Sequence, residues 1–444
     1  MVLAHRYNYP PEFYQKSLAV FNKALGSTQA YERWRSSDPG PGRSIDDRYD
    51  AVGELTKQMI RDNFPYGMTP SGRNVEQGLI SGEIEYTYTS GTTGDRVVNI
   101  WDQDWWNRAE AASWKLNAHT SALSYPQREA KLASSLNVGV SCEEDLPLSS
   151  RLVGQTLYLN EKINLIQWQP RHFARMASEL NDYKPVILET NPSLLARLSF
   201  WALDEGVELY SPAAIIFTYE FISQIHLNAI RSVFSSPLIS SFGTTETGFV
   251  LEECEKGFLH QNYDFCRIDF HPLKDAYGGP DLGRMLVTTF DNPWNIVVKF
   301  DTGDLIRLHP EGTCACGRSE GLIATAVEGR TTNATFTIDG GLVTTWALDR
   351  ALAAVQGVRD YHLEQRDGKH YELLIMPEPE TLAGPATGGA ARLTIDAAHS
   401  ALRTLYGDRG AYDVRLVKNI YPGPAGKFRR TLACFEYDWK GWFV

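Results

Sequence analysis

Apolar positions along the chain fall into stretches of helical and of strand-like spacing. Phe13, Leu18, Phe21 and Leu25 are spaced as on one helix face, and residues 51–64 read as a second helix. A longer helix is expected over residues 103–123, with Trp105, Trp106 and Trp114 turned into the core. From residue 171 the pattern alternates. Residues 171–183, 192–206 and 222–234 read as helices; 185–189, 214–217 and 237–241 read as buried strands. The middle helix has Pro192 at its start and Gly206 at its end, as helix termini prefer. Strands alternating with helices of this length imply a parallel, doubly wound α/β layer. Beyond Gly279, residues 283–290 and 296–300 read as short strands. A smaller α+β module follows, with a helix over 346–356, a hairpin across Asp367-Gly368, a Pro/Gly/Ala-rich loop at 377–390 and a helix over 395–406. The expected division is an α/β region over residues 1–329 and an α+β domain over 330–444.

Composition narrows the classes. The 444 residues suggest two to four domains, at roughly 100–200 residues each. A 43% hydrophobic fraction excludes disorder over most of the chain. The 43 basic and 54 acidic residues give a net charge of −11. That balance, with no long Lys/Arg run, argues against nucleic acid or an anionic membrane as the main partner. No apolar run reaches the roughly 18 residues of a membrane span. Residues 1–14 include Pro10 and Pro11 and show no apolar signal segment. Six cysteines in this length make no disulfide scaffold, so a reducing, cytoplasmic location is the expectation.

Candidate chemistry starts at Ser90-Gly91-Thr92-Thr93-Gly94, after a strand-like run. Glycines let backbone N–H groups approach an anion, and small hydroxyls add donors without bulk. The lysine ending of a P-loop is absent. A plain Ser/Thr/Gly turn is the alternative. A second group, Ser241-Phe242-Gly243-Thr244-Thr245-Glu246, follows an expected strand. Its aromatic can stack on a base, and its hydroxyls and carboxylate suit a phosphate with Mg²⁺. Asp304 ends another strand and can bind a ribose diol. Arg330 and the glycine-led Lys427 follow as cations able to reach a phosphate.

These five elements, in this order, resemble the adenylate-forming superfamily of acyl-CoA ligases, luciferases and adenylation domains, with the phenylacetate-CoA ligase branch the nearest in length. The resemblance spans residues 60–435. It implies that Ser90–Gly94 hold the β- and γ-phosphates of ATP, Phe242 packs on adenine, Thr245 meets the α-phosphate and Glu246 ligates Mg²⁺. It further implies that Asp304 and Arg330 hold the ribose and Lys427 stabilises the adenylation transition state. The implied reaction is attack of a small, aryl or arylacetic, carboxylate on ATP, then transfer to coenzyme A. Asn137, Gly139, Thr218 and Tyr219 are expected to line the acid pocket. A homodimer and a carrier-protein partner are compatible with the resemblance.

Cys254 and His260 follow the glutamate motif, and Cys314 and Cys316 follow Asp304. Three thiolates and an imidazole suit tetrahedral, structural Zn²⁺. Some members of the branch resemble this arrangement. The alternative is unpaired cysteines and a surface histidine. Cys142, Cys266 and Cys434 read as core residues.

Three departures from the family stand out. Gly94-Asp95-Arg96-Val97 replaces the usual proline and lysine, so Arg96 is either a substitute cation or a solvated side chain. Tyr219 stands where members carry glycine against the substrate. Residues 339–345 lack the basic residue and the proline expected there, Thr345 replacing the latter. That alteration leaves adenylation intact and opens the choice of acceptor: coenzyme A, a carrier-protein thiol, an amine, or activation of nitrite for diazotisation.

Overall fold

A computed structural model describes residues 7–89, 97–123, 126–134, 145–160, 163–383, 389–423 and 426–444. The chain forms two compact units. The first comprises Met1–Leu123, Ile239–Pro272 and Asp281–Ala326; the second comprises Ser124–Leu238, Leu273–Pro280 and Val327–Val444. Among the described residues no helix is long and apolar enough to cross a membrane.

In chain order, β1 (Glu85–Tyr88) pairs antiparallel with β2 (Val98–Trp101) in the first unit. The second unit follows with β3 (Glu129–Leu132), β4 (Leu152–Val153), β5 (Thr156–Asn160), β6 (Ile187–Thr190) and β7 (Ala214–Phe217). Their order is β7-β6-β3-β5-β4, and β3 is parallel to both β5 and β6. Helices Pro170–Tyr183, Pro192–Glu205 and Gln224–Val233 supply the apolar cover. Leu132, Leu157, Leu188, Ile215, Leu195 and Ile230 meet in one core. This is the expected α/β layer. Pro192 opens its helix, and Gly206 closes it in the left-handed conformation that disfavours side chains.

Most of the first unit's strands come next: β8 (Leu238–Thr244), β9 (Gly248–Glu253), β10 (Leu259–Gln261), β11 (Cys266–Pro272), β12 (Leu282–Thr289), β13 (Phe300–Leu308) and β14 (Ile323–Arg330). They lie in the order β11-β12-β13-β14-β10-β9-β8. A second core beneath the N-terminal helix Pro11–Ser27 holds Phe21, Tyr31, Tyr49, Leu55 and Phe300. In the C-terminal stretch β15 (Thr335–Phe336) pairs with β16 (Leu342–Val343). The strands β17 (Val358–Gln365), β18 (His370–Pro377), β19 (Ala411–Leu416) and β20 (Thr431–Ala433) form a sheet in the order β19-β18-β17-β20. The β17–β18 hairpin turns at Asp367-Gly368, as expected. Helices Thr345–Ala353 and Gly389–Tyr406 pack on this sheet around Tyr361, Leu373 and Leu402.

Several expected elements differ. Residues 51–64 are not one helix: helix Ile45–Ala51 ends there, Gly53 lies close against Trp34, and Thr56 caps a new helix, Lys57–Asn63. The expected helix over 103–123 stops at Trp114, and Asn117 caps a single turn, Ala118–Ser121. Residues 296–298 are buried but form no strand. Ile296 N donates to Met68 O and Val298 N to the Tyr31 hydroxyl, while Val297 O accepts from Thr289 N. Trp105 and Trp114 are buried, whereas Trp106 is half-buried between Trp101 and Phe249. Cys266 is buried; Cys434 is exposed, because it lies just past the end of β20. Cys142 lies outside the described residues.

Candidate active site and metal centre

In the first unit, β8 and β9 are joined by a tight turn. Thr247 N donates to Thr244 O at 3.1 Å, and the Thr244 and Thr247 hydroxyls meet at 2.9 Å. A Cβ on Gly243 would stand 2.2 Å from the Gly248 carbonyl oxygen, so only glycine fits this approach. The turn exposes Phe242, Thr244 and Thr245 in part and buries Ser241 and Glu246. Glu246 Oε1 is buried and makes no hydrogen bond. Such an oxygen is costly unless a donor or a cation meets it. Asp304 lies on β13, also buried, where Gly303 at φ +75° kinks the strand. Thr302 Oγ1 accepts from Asp304 N, and Asp301 Oδ1 accepts from Gly303 N. Burial raises the Asp301 carboxyl despite the adjacent Arg284 guanidinium, 2.9 Å away.

The second unit holds the remaining candidates. Thr218 and Tyr219 follow β7, and both hydroxyls donate to Glu189 Oε1, at 3.3 and 2.8 Å. Glu189 also pairs with Lys131 at 2.6 Å. Burial opposes its ionisation, but Lys131 and the two hydroxyls outweigh that and hold the carboxyl below its ordinary range. Tyr219 is 40% exposed and sits at φ +75°, a left-handed conformation that disfavours side chains.

Arg330 ends β14, half-buried. Beside it, Thr344 Oγ1 donates to Glu328 Oε2 at 2.7 Å, and a Cβ on Gly329 would stand 3.0 Å from Thr345. Thr345 is 3% exposed and shares a 2.7 Å hydrogen bond with Thr431. Lys427 is half-buried on an anchored segment. Its carbonyl accepts from Gly423 N at 3.0 Å. Phe428 N donates to Glu220 Oε2 at 3.3 Å, and the Phe428 ring lies under the Arg197 guanidinium at 5.0 Å. Arg430 is buried, paired with Asp360, and donates to Ser193 Oγ at 2.9 Å.

The four ligand-type residues of the first unit do meet. One ligand atom each of Cys254, His260, Cys314 and Cys316 lies within 4.8 Å of the others. Cys254 Sγ and Cys314 Sγ are 3.7 Å apart, and Cys316 Sγ and His260 Nε2 are 3.4 Å apart. A disulfide would need a separation of about 2.05 Å. Tetrahedral zinc, with Zn–S about 2.3 Å and Zn–N about 2.0 Å, implies S···S edges of about 3.8 Å and S···N edges of about 3.5 Å. Two similar turns build the cluster. Cys254 and Cys314 each precede a glycine by three residues, Gly257 at φ +81° and Gly317 at φ +84°. Each turn closes by an N–H···O bond back to its cysteine carbonyl. All three sulfurs accept a backbone N–H, from Lys256, Cys316 and Arg318, at 3.4–3.5 Å. Burial, with help from Arg318, lowers the His260 imidazole to about 4, which keeps it neutral and able to ligate. The donor set and its spacing could hold a tetrahedral metal ion.

No family model and no curated protein matches the sequence. Solved structures do. A 2-hydroxyisobutyryl-CoA ligase in the postadenylation state, in complex with R3-HIB-AMP, is 17% identical, with TM-score 0.72 over 98% of this chain and 92% of that one. The fold is that of the adenylate-forming enzymes. An anthranilate CoA ligase, AuaEII, in complex with anthranoyl-AMP is 15% identical, with TM-score 0.51 over 78% of this chain and 65% of that one. The A domain of a carboxylic acid reductase from Segniliparus rugosus, in complex with AMP and a co-purified carboxylic acid, is 14% identical, with TM-score 0.51 over 78% and 58%.

On this adenylate-forming fold the candidates divide between the units. Ser241, Phe242, Gly243, Thr244, Thr245, Glu246 and Asp304 belong to the first, and Thr218, Tyr219, Arg330 and Lys427 to the second. Ser90, Gly91, Thr92, Thr93, Gly94 and Arg96, with Asn137 and Gly139, lie outside the described residues. The expected site set did not include Glu189, Glu220, Arg430 or Glu252; Glu220 ends the segment 217–220 and Arg430 the segment 426–430, whereas Glu189 and Glu252 belong to no recognisable motif. Glu252 alone left a signal: it shares an inward strand face with Val250.

Proposed function

We propose that the chain is an ATP-dependent ligase that adenylates a small carboxylic acid, releases pyrophosphate and passes the acyl group to coenzyme A. Glu246 carries this reading, since its buried oxygen without a hydrogen bond sits on a glycine-locked turn and fits a Mg²⁺ ligand. The fold supports it, since the neighbours named above include CoA ligases in complex with acyl-AMP species. Bound Mg²⁺ would supply charge neutralisation to the phosphates. Phe242 would stack on adenine, Thr245 donate to the α-phosphate, and Asp304 and Arg330 hold the ribose hydroxyls. Residues 330–444 would act as the lid domain that brings Lys427 to the charge building on the α-phosphoryl group. The substrate carboxylate is an anion at neutral pH and attacks without a general base. The acid class we favour is aryl or arylacetic, with Tyr219 narrowing the pocket. Cys254, His260, Cys314 and Cys316 would hold a structural Zn²⁺, pinning two loops of the first unit.

A second reading keeps adenylation and changes the acceptor to a carrier-protein thiol or an amine, or activates nitrite. Buried, hydrogen-bonded Thr345 at the altered loop favours it. Pyrophosphate release over a panel of acids and nitrite, with and without coenzyme A, separates the two. Coenzyme-A-dependent thioester formation supports the first reading. Pyrophosphate release without any thioester supports the second.

A further inference from the structure

A buried polar row crosses three strands of the first unit. Ser241 on β8 lies in register opposite Glu252 on β9, and Glu252 opposite His260 on β10. Residues directly opposed on antiparallel strands point to the same face, with Cβ atoms about 5 Å apart. Glu252 and His260 are both 0% exposed, and Ser241 is 7% exposed. Ser241 Oγ, both carboxylate oxygens of Glu252 and His260 Nδ1 are buried, and none makes a hydrogen bond of ordinary geometry. A buried polar group without a partner carries its full desolvation penalty, so their gathering on one face calls for a function. The His260 ring presents Nε2 to Cys316 Sγ. Its Nδ1 edge is then the one left to meet a neighbour other than the thiols.

We propose that Glu252 is the positioning residue of the metal centre. With Nε2 on the metal, the Glu252 carboxylate accepts the Nδ1–H of His260, and the Ser241 hydroxyl donates to the other carboxylate oxygen. This fixes the ring's tautomer and plane. It also joins the metal centre to β8, the strand that carries Phe242 and leads into Glu246. The inference rests on the metal reading of the four ligands.

The test is zinc affinity by chelator competition, with the visible spectrum of the Co²⁺-substituted protein as a second readout. Wild type is compared with Glu252→Leu, of similar size but without an acceptor, and Glu252→Gln, whose amide oxygen still accepts. We expect Glu252→Leu to bind zinc 10–100-fold more weakly and to shift the Co²⁺ bands. Glu252→Gln should lose less. A merely structural role would lower the melting temperature of the metal-free protein and leave metal affinity unchanged. Equal zinc affinity in wild type and both variants overturns the inference while the metal reading stands. Should Glu252→Leu not fold, Glu252→Met, also without an acceptor, takes its place, and wild-type zinc affinity with an unshifted Co²⁺ spectrum in that variant overturns it. A wild type that takes up neither zinc nor cobalt overturns the metal reading and this inference together.

Discussion

At the residue scale, Lys427 carries the heaviest proposed duty. Its neighbours Phe428 and Arg430 are buried anchors, so its segment is held in place whether or not the ammonium is present. Lys427→Ala should therefore fold normally and bind ATP. Pyrophosphate release should fall by roughly 10²–10³-fold, the usual loss on removing one preorganised transition-state donor. ATP binding by calorimetry beside a pyrophosphate assay checks both halves. The clustering of Cys254, His260, Cys314 and Cys316 was legible because these residue types are rare and chemically specific. Glu189 left no such mark, and Glu252 only its place on an inward strand face, because the partners of a buried carboxylate across the sheet are not written in local sequence. Cys434 misled for a related reason: cysteine is usually buried, but this one falls beyond the end of β20.

At the element scale, the helices Pro192–Glu205 and Gln224–Val233 hold the Lys427 segment through a buried charged network. Arg430, Asp360, Arg197 and His226 meet there, and Asp349 accepts from Ser223 and Tyr361. Replacing Arg430 with Met leaves Asp360 buried and under-compensated. We expect a loss of about 3–5 kcal/mol in denaturant unfolding. Adding Asp360→Asn should recover much of it. The same network sets a pH dependence. Burial, then the Arg430 charge, lowers the His226 imidazole well below its ordinary value, with Glu220, Asp349 and Arg197 also facing it. Between that lowered value and about 6.5 the unfolded chain binds a proton that the folded chain refuses. Stability should therefore fall as pH drops below about 6.5, and His226→Gln should flatten that limb of a Tm–pH profile. The helix with Pro192 and Gly206 at its ends was read closely from sequence. The run 296–300 was not, because buried apolar backbone can be satisfied by a turn carbonyl or a tyrosine hydroxyl as well as by a strand.

At the scale of the whole molecule, the alternation of strands and helices between residues 171 and 241 revealed the α/β layer, since each βα repeat leaves its own periodic trace. The sheet order of the first unit was not readable, because β10 pairs with β14 across about 60 residues of sequence and no local pattern encodes that. The proposed metal binding belongs to this scale too, as it would tie the loop at Cys254 to the loop at Cys314. A strong chelator should lower the melting temperature by a few degrees and added zinc should restore it, by mass action on the folded state. Whether the molecule as a whole makes AMP a leaving group is tested most directly by pyrophosphate release from Mg·ATP over a panel of carboxylic acids and nitrite. We expect release that depends on one acid class or on nitrite and is lost in Lys427→Ala. Folded, zinc-loaded protein that binds ATP yet releases no pyrophosphate with any member of the panel would contradict the account.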